Sequence, residues 1–247
     1  MNEKIVSVVI PTHGQKILWL SIESLCNQVD AGQWELIIFE DNVRCKVKEI
    51  INEYRERLKS AGCFVIKYFY RENRISLSTK WKLCAQYMHK DSIGMLLQAD
   101  DDYSDKNRIK RTKQLFRHSD WVQSRYGHFY NVTSDKSIVF DLKSGESQTG
   151  VSIAISKRIV EQLNDEQKWC GVDHWLYSEA KRIEPNLRVT TDESNDWETG
   201  FFTDGFNRVS KTRHEYYENV KAPFIKTNIS INKLIDNNII ERLKNKS

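Results

Sequence analysis

The sequence predicts an α/β fold in which a mostly parallel central sheet has helices on both faces, joined to a smaller mixed-sheet region. Three observations lead there. Short β-branched apolar runs alternate four times with segments of helical period in the first half of the chain. The runs are continuous rather than alternating, as in strands buried on both faces. Three of them also end in polar or acidic residues, most notably Asp100-Asp101-Asp102, which follows Ile93-Gly94-Met95-Leu96-Leu97.

Taken in order, Ile5 to Ile10 is the first strand, closed by Pro11-Thr12-His13-Gly14. Leu18, Ile22 and Leu25 recur at i, i+4, i+7 and predict a helix. Glu35 to Phe39 is a second strand ending in Glu40-Asp41. Val47, Ile50, Ile51, Tyr54 and Leu58 line one face of a helix that stops near Gly62. Cys63 to Phe69 is the third strand. Ser78 to His89 is a helix with Ser78 as its N-cap and Trp81, Cys84, Ala85 and Met88 facing inward. After the fourth strand and its aspartates, Asp105 caps a helix bearing Ile109, Thr112, Leu115 and Phe116. In the second half Trp121 to His128, Lys136 to Leu142 and Val151 to Ile155 read as antiparallel or mixed strands. Helices are expected at 156–163, 172–181 and 228–244, and residues 191–213 are polar and punctuated by glycine.

Bulk properties narrow the class. At 247 residues with only three prolines and ten glycines, no linker divides the chain, and one domain is expected. A hydrophobic content of 39% excludes a disordered chain. No apolar run approaches the ~18 residues of a membrane span. The first strand begins almost at Met1, leaving no room for a signal peptide, so a cytoplasmic location is expected. A net charge of +4 does not indicate nucleic acid, and the lysine-rich end at Lys244 and Lys246 is expected to fray. The five cysteines show no CxxC pairing, so they read as reduced thiols packed as small apolar groups.

The aspartate triplet is the chemically informative feature. Three adjacent anions repel one another, and a packed fold keeps them when a cation offsets the charge. Mn²⁺ or Mg²⁺ does so through one or two carboxylates plus substrate phosphates. A solvated acidic turn is the alternative. In doubly covered parallel sheets the ligand crevice lies outside the carboxyl ends of the strands. Pro11-Thr12, Glu40-Asp41 and Asp100 to Asp102 all sit at such ends and should converge there.

Five segments occur in an order that resembles a known family: Val6-Ser7-Val8-Val9-Ile10-Pro11-Thr12; Glu35 to Asn42; Asn73 to Lys82; Asp100 to Asp102 with Asn107-Arg108-Ile109; and Gly171-Val172-Asp173-His174-Trp175-Leu176. From about Val6 to about Ala180 the chain is similar to the GT-A glycosyltransferases, specifically the inverting family 2. It departs at Trp81, where many members have Asn, at Val172, where Glu is usual, and at Gln98, where a further Asp often opens the metal motif.

The resemblance implies a metal-dependent transfer, with inversion, of a sugar from a nucleotide-diphosphate donor, typically a UDP-sugar, to a hydroxyl of a glycan or other acceptor. Residues 1–118 would form a nucleotide-binding half, 119–183 an acceptor-side half, and 184–247 a lid and helical extension. Pro11, Thr12 and either Glu40 or Asp41 would read the base, Lys80 would face the nucleotide, and Asp100 would hold ribose hydroxyls. Asp101 and Asp102 would ligate Mn²⁺ or Mg²⁺, with Lys80, Arg213 and His214 as supplementary cations or ligands. Asp173 would be the general base, with Asp204 or Glu179 next in line.

Plainer roles stand beside these: a turn for Thr12, helix capping for Glu40, Asp41 or Asp173, and an exposed helix position for His214. Trp169 and Trp175 read as a sugar platform or as core, and 199–207 as a lid or a buried loop. A nucleotidyltransferase is the alternative enzyme, although His13-Gly14-Gln15-Lys16 is too poor in glycine for its phosphate loop. A sugar- or nucleotide-binding module without catalysis ranks third.

Overall fold

The structure is a computed structural model that describes residues 4–14, 17–41, 47–131, 136–141, 153–164, 166–168, 171–192, 198–202 and 235–244. Its first half alternates as the sequence period demands. β1 (Ile5–Thr12), α1 (Leu18–Cys26), β2 (Trp34–Asp41), α2 (Val47–Ser60), β3 (Cys63–Arg71), α3 (Leu77–Gln86) and β4 (Ser92–Leu97) follow one another. β1 pairs in parallel with β2 and β4, and β2 with β3. α2 ends where Gly62 adopts a φ of 96°, and its N–H closes on the Lys59 carbonyl at 2.9 Å. A Cβ at this position would lie 2.1 Å from the Gly32 carbonyl oxygen, so the turn needs glycine twice over.

Beyond β4 the chain departs from simple alternation. The aspartate triplet runs directly into β5 (Asp102–Ser104), which the sequence pattern does not reveal. α4 (Arg108–Leu115) starts from Asn107, not Asp105; the Asp105 carboxylate accepts instead from the Asn107 N–H at 2.7 Å. Trp121 to His128, expected as one strand, is divided. β6 (Trp121–Ser124) joins the main sheet and β7 (Tyr126–Asn131) a second one, because the chain bends at Arg125.

The rest comprises β8 (Lys136–Asp141), β9 (Ile153–Ser156), α5 (Lys157–Val160), α6 (Val172–Ile183), β10 (Val189–Asp192), β11 (Glu198–Phe202) and α7 (Asn237–Lys244). β10 and β11 lie where only polar, glycine-punctuated sequence was legible. The main sheet has the order β3-β2-β1-β4-β9-β6-β10, with β9 antiparallel to both neighbours. The second sheet runs β5-β11-β7-β8.

Strand alternation divides the core in two. Val6, Val8, Ile10, Leu36 and Ile38 pack with α1, α2 and α7 on one face. Val9, Ile37, Phe39, Met95 and Leu97 pack with α3, α5 and α6 on the other. Each such side chain, fully buried, contributes roughly 1.5–3 kcal/mol. The carboxyl-terminal helix does not fray through its length: Ile239, Ile240 and Leu243 are buried, and the Arg242 guanidinium lies 4.0 Å from the Trp19 ring centroid. Cys63 and Cys84 are buried free thiols, and burial pushes the Cys63 thiol up to about 12. Cys45 and Cys170 lie outside the described residues.

Candidate functional site

β1, β2 and β4 are adjacent and parallel, so their carboxyl ends form one edge. The register places Thr12 beside Glu40, and the Gln98 N–H donates to the Val9 carbonyl at 3.0 Å, drawing the aspartate turn against β1. Thr12, Asp41, Lys80 and Asp100 meet here.

Lys80 reaches this edge from α3. Its Nζ donates to Asp41 Oδ1 at 2.6 Å and to the Thr12 carbonyl at 2.9 Å, and both side chains of the ion pair are buried. Burial lowers the Lys80 pKa, and the Asp41 contact works against that. The other Asp41 oxygen accepts from the Ile75 N–H at 2.7 Å. Asp41 therefore binds the α3 approach to β2. The helix itself is capped by Ser76, whose hydroxyl accepts from the Thr79 N–H at 3.2 Å, so the expected Ser78 cap is corrected by two residues.

Glu40 does not join Asp41. Consecutive strand residues face opposite ways, and Glu40 turns toward the α1/α2 side, where its carboxylate accepts from the Tyr68 hydroxyl. Pro11 pairs with Phe39 at the sheet edge and is half-buried. The Thr12 hydroxyl oxygen accepts from the Gly14 N–H at 3.1 Å, which makes a turn, and also lies against the Asp100 carboxyl. Thr12 thus fills its plainer role and a site position together.

Asp100 is the distinctive group. Burial raises its pKa to about 6, opposed by the Thr12 hydroxyl and the Lys80 charge. Its Oδ2 is buried and has no hydrogen-bond partner. Asp101, the next residue, is half-exposed, and Asp102 is buried at the start of β5. A buried carboxylate oxygen without a donor, in a turn of three acids, suits a hard divalent cation. Among the described residues no group of three or more His, Cys, Asp or Glu side chains is arranged to hold a metal ion. The turn itself can supply one or two oxygens, as a divalent cation bound together with substrate phosphates requires.

The turn is held by residues that the sequence did not single out as functional. Arg108 is fully buried; it donates to the Leu97 carbonyl at 2.5 Å, Gln98 Oε1 at 2.9 Å and Ser104 Oγ at 2.8 Å. Gln98 Nε2 donates to the Asp102 carbonyl at 3.1 Å, and Ser21 Oγ to the Ala99 carbonyl at 2.9 Å. Gln98, the departure from the expected acid, is thus the centre of the clamp. His13 also sits at the rim, within electrostatic reach of Lys80, Arg74, Asp41 and Asp101, its pKa lowered chiefly by desolvation.

Asp173 lies in the first turn of α6, whose N-cap is Gly171 at a φ of 60°, so Asp173 is not the cap. Its charge there is favourable to the helix dipole. α6 packs against α3, the helix that carries Lys80. Trp175 is core, not platform, packed with Trp81 and Leu176, although its indole Nε1 is buried without a partner. Glu179 is clamped by Arg182 at 3.0 and 2.9 Å and by the Asn164 N–H at 3.3 Å; the Arg182 contact is the main cause of its lowered pKa. Trp169, Asp204, Arg213 and His214 lie outside the described residues, as does 203–213; residues 199–202 belong to β11.

Residues 7–164 match the family model described as Glycosyl transferase family 2. No curated protein matches the sequence. Among solved structures, S. aureus TarS 1–349 in complex with UDP-GlcNAc is similar with a TM-score of 0.61 at 15% identity, over 82% of this chain and 60% of that one. The same fragment in complex with UDP gives 0.59 at 15% identity, over 81% and 61%. HddC from Yersinia pseudotuberculosis gives 0.50 at 12% identity, over 80% and 93%. The chain spans 37% of the longer TarS chain. At these identities the likeness is one of fold. Among the described residues no helix is long and apolar enough to cross a membrane.

Proposed function

Because the chain belongs to glycosyl transferase family 2, we propose that it is a glycosyltransferase that moves a sugar from a UDP-sugar to an acceptor hydroxyl by metal-assisted displacement with inversion. The observation behind this reading is the bare, buried Oδ2 of Asp100 in the crevice shared with Thr12, Asp41 and Lys80. The complexes of the TarS fragment, which has a similar fold, with UDP-GlcNAc and UDP support the choice of donor.

In this reading residues 1–118 hold the nucleotide. Pro11, Thr12 and Asp41 border the base, with Lys80 holding Asp41 in place through the 2.6 Å contact. Glu40, turned to the other face, supports β2 through Tyr68 instead. Asp100 would face the ribose and diphosphate end, and Asp101, central in the triplet and half-exposed, would hold the cation together with Asp102. When bound, Mn²⁺ or Mg²⁺ supplies Lewis-acid stabilisation of the charge that develops on the leaving diphosphate. The Arg108–Gln98–Ser104 clamp keeps the acidic turn in one geometry before the donor arrives, so little ordering is left for the binding step.

Asp173 is the general base in this reading. A single displacement with inversion needs a carboxylate on the acceptor side, within hydrogen-bond reach of the attacking hydroxyl. The first turn of α6, beside the nucleotide-bearing α3, suits that position, and Glu179 is committed to Arg182. The acceptor class is a glycan or another hydroxyl compound.

Calorimetric titration with UDP and GDP, with and without Mn²⁺, tests the donor half. UDP binding that strengthens with Mn²⁺ is expected. Equal affinity in both conditions removes the metal from the proposal, and no binding of either nucleotide removes the donor site.

A further inference from the structure

Ser78 stands in the first turn of α3 yet does not cap that helix; Ser76 does. Its hydroxyl instead leaves the helix and closes on a distant loop. It donates to the Glu166 carbonyl at 2.5 Å and accepts from the Lys168 N–H at 2.8 Å. One buried side chain thereby satisfies two backbone groups of a segment that ends three residues before Gly171. The same loop is tied at its other end to α6, where the Asn164 N–H donates to Glu179 Oε2 at 3.3 Å. Residues 166–168 are therefore tied to the helix that carries Lys80, and Asn164 to the helix that carries Asp173.

We propose that Ser78 is a positioning residue that fixes the entry to α6, and with it Asp173, relative to the nucleotide-side helix. The tie lies two residues before Lys80, so the position of α3, set by the Lys80 contacts to Asp41 and Thr12, is passed to residues 166–168 through one hydroxyl, beside the direct packing of α3 on α6. Ser78 touches neither donor nor acceptor in this scheme. Its catalytic consequence rests on the reading of Asp173 as base; its structural consequence does not.

The experiment compares Ser78→Ala with Ser76→Ala, which removes the neighbouring cap and a 3.0 Å contact to the Ser78 hydroxyl but no contact to Glu166 or Lys168. Both variants should melt earlier. Only Ser78→Ala should speed amide exchange at Glu166–Lys168 and Val172–Asp173. It should also lower kcat about tenfold or more, since small misplacements of a reacting group cost that much, while UDP affinity stays near wild type. Should Ser78→Ala fail to fold, Ser78→Cys, which keeps the volume but offers only a weak donor and acceptor, is measured in the same way. Unchanged exchange in those segments overturns the inference whatever the turnover. Faster exchange with wild-type kcat, in a protein whose Asp173→Asn variant is inactive, overturns the positioning role. An active Asp173→Asn variant overturns the base assignment instead and leaves the exchange result to decide on the tie.

Discussion

Lys80 and Asp41 form a buried ion pair, Nζ to Oδ1 at 2.6 Å, across 39 residues of sequence. It joins α3 to the end of β2, and the Thr12 carbonyl adds β1 to the same contact. Removing one partner of a buried pair leaves an uncompensated charge, at a cost of roughly 3–5 kcal/mol. Lys80→Met should therefore destabilise the protein by about that much in urea denaturation. Lys80→Met with Asp41→Asn should recover a large part of the loss. Additive effects in this double-mutant cycle would mean that the pair does not set the local geometry.

Asp101→Asn should abolish the Mn²⁺-dependent part of nucleotide affinity and turnover while the protein remains folded. Relieving repulsion within three consecutive acids should leave the metal-free melting temperature unchanged or higher. Scanning calorimetry and titration with UDP and Mn²⁺ give the two readouts. A variant with wild-type turnover would leave the triplet a structural turn and not a metal site.

Asp173→Asn should leave UDP affinity nearly intact and reduce kcat by ~10²–10⁴-fold, the usual contribution of a general base. The residue is not the α6 cap, so its melting temperature should change little. Turnover at saturating acceptor is the deciding measurement. A loss below tenfold dismisses Asp173 and makes Asp204 the next carboxylate to test, since Glu179 is held by Arg182.

Two aspartates should give stability opposite pH dependences. Arg188 and Arg158 hold the Asp120 pKa near 2, below its ordinary 3.8, so the unfolded chain takes up the proton first as pH falls. The stability from this contact is present above about pH 3.8 and is lost between there and pH 2. Both arginines are half-exposed, and salt should weaken the effect. Asp100, raised to about 6 by burial, behaves the other way: the folded state keeps the proton longer, and stability falls as pH rises from 3.8 to 6. Melting curves without metal should show Asp120→Asn losing its penalty at low pH and Asp100→Asn gaining stability above pH 6. A pH-independent difference for either variant rejects its assignment.

The strand and helix periods of the first half are local properties, so β1 to β4, α1 to α3 and the termination near Gly62 were all legible in the sequence. So was the convergence of Thr12, Asp41 and Asp100, because parallel pairing brings every carboxyl end to one edge, whereas Lys80, on α3, was expected there only from the resemblance. Three of the five segments behind the family resemblance include or follow those ends; the others lie on or next to α3 and α6. Less was legible where the signal is not periodic. β10 and β11 are short and polar, and each is recruited by a partner strand, β6 and β5 respectively.

What only the tertiary structure decided is the partner of each polar side chain. Ser76 and Ser78 look alike as caps, and the choice between them depended on a loop some ninety residues away. Glu40 and Asp41 looked interchangeable until strand alternation sent them to opposite faces. Arg108 read as an ordinary helix residue, yet it is wholly buried and anchors Gln98 and Ser104 beneath the acidic turn. Periodicity reports which face of an element is apolar, because burial of that face is selected residue by residue along the chain. A hydrogen bond between segments depends on where two backbones meet, and that is determined only when the whole sheet has formed.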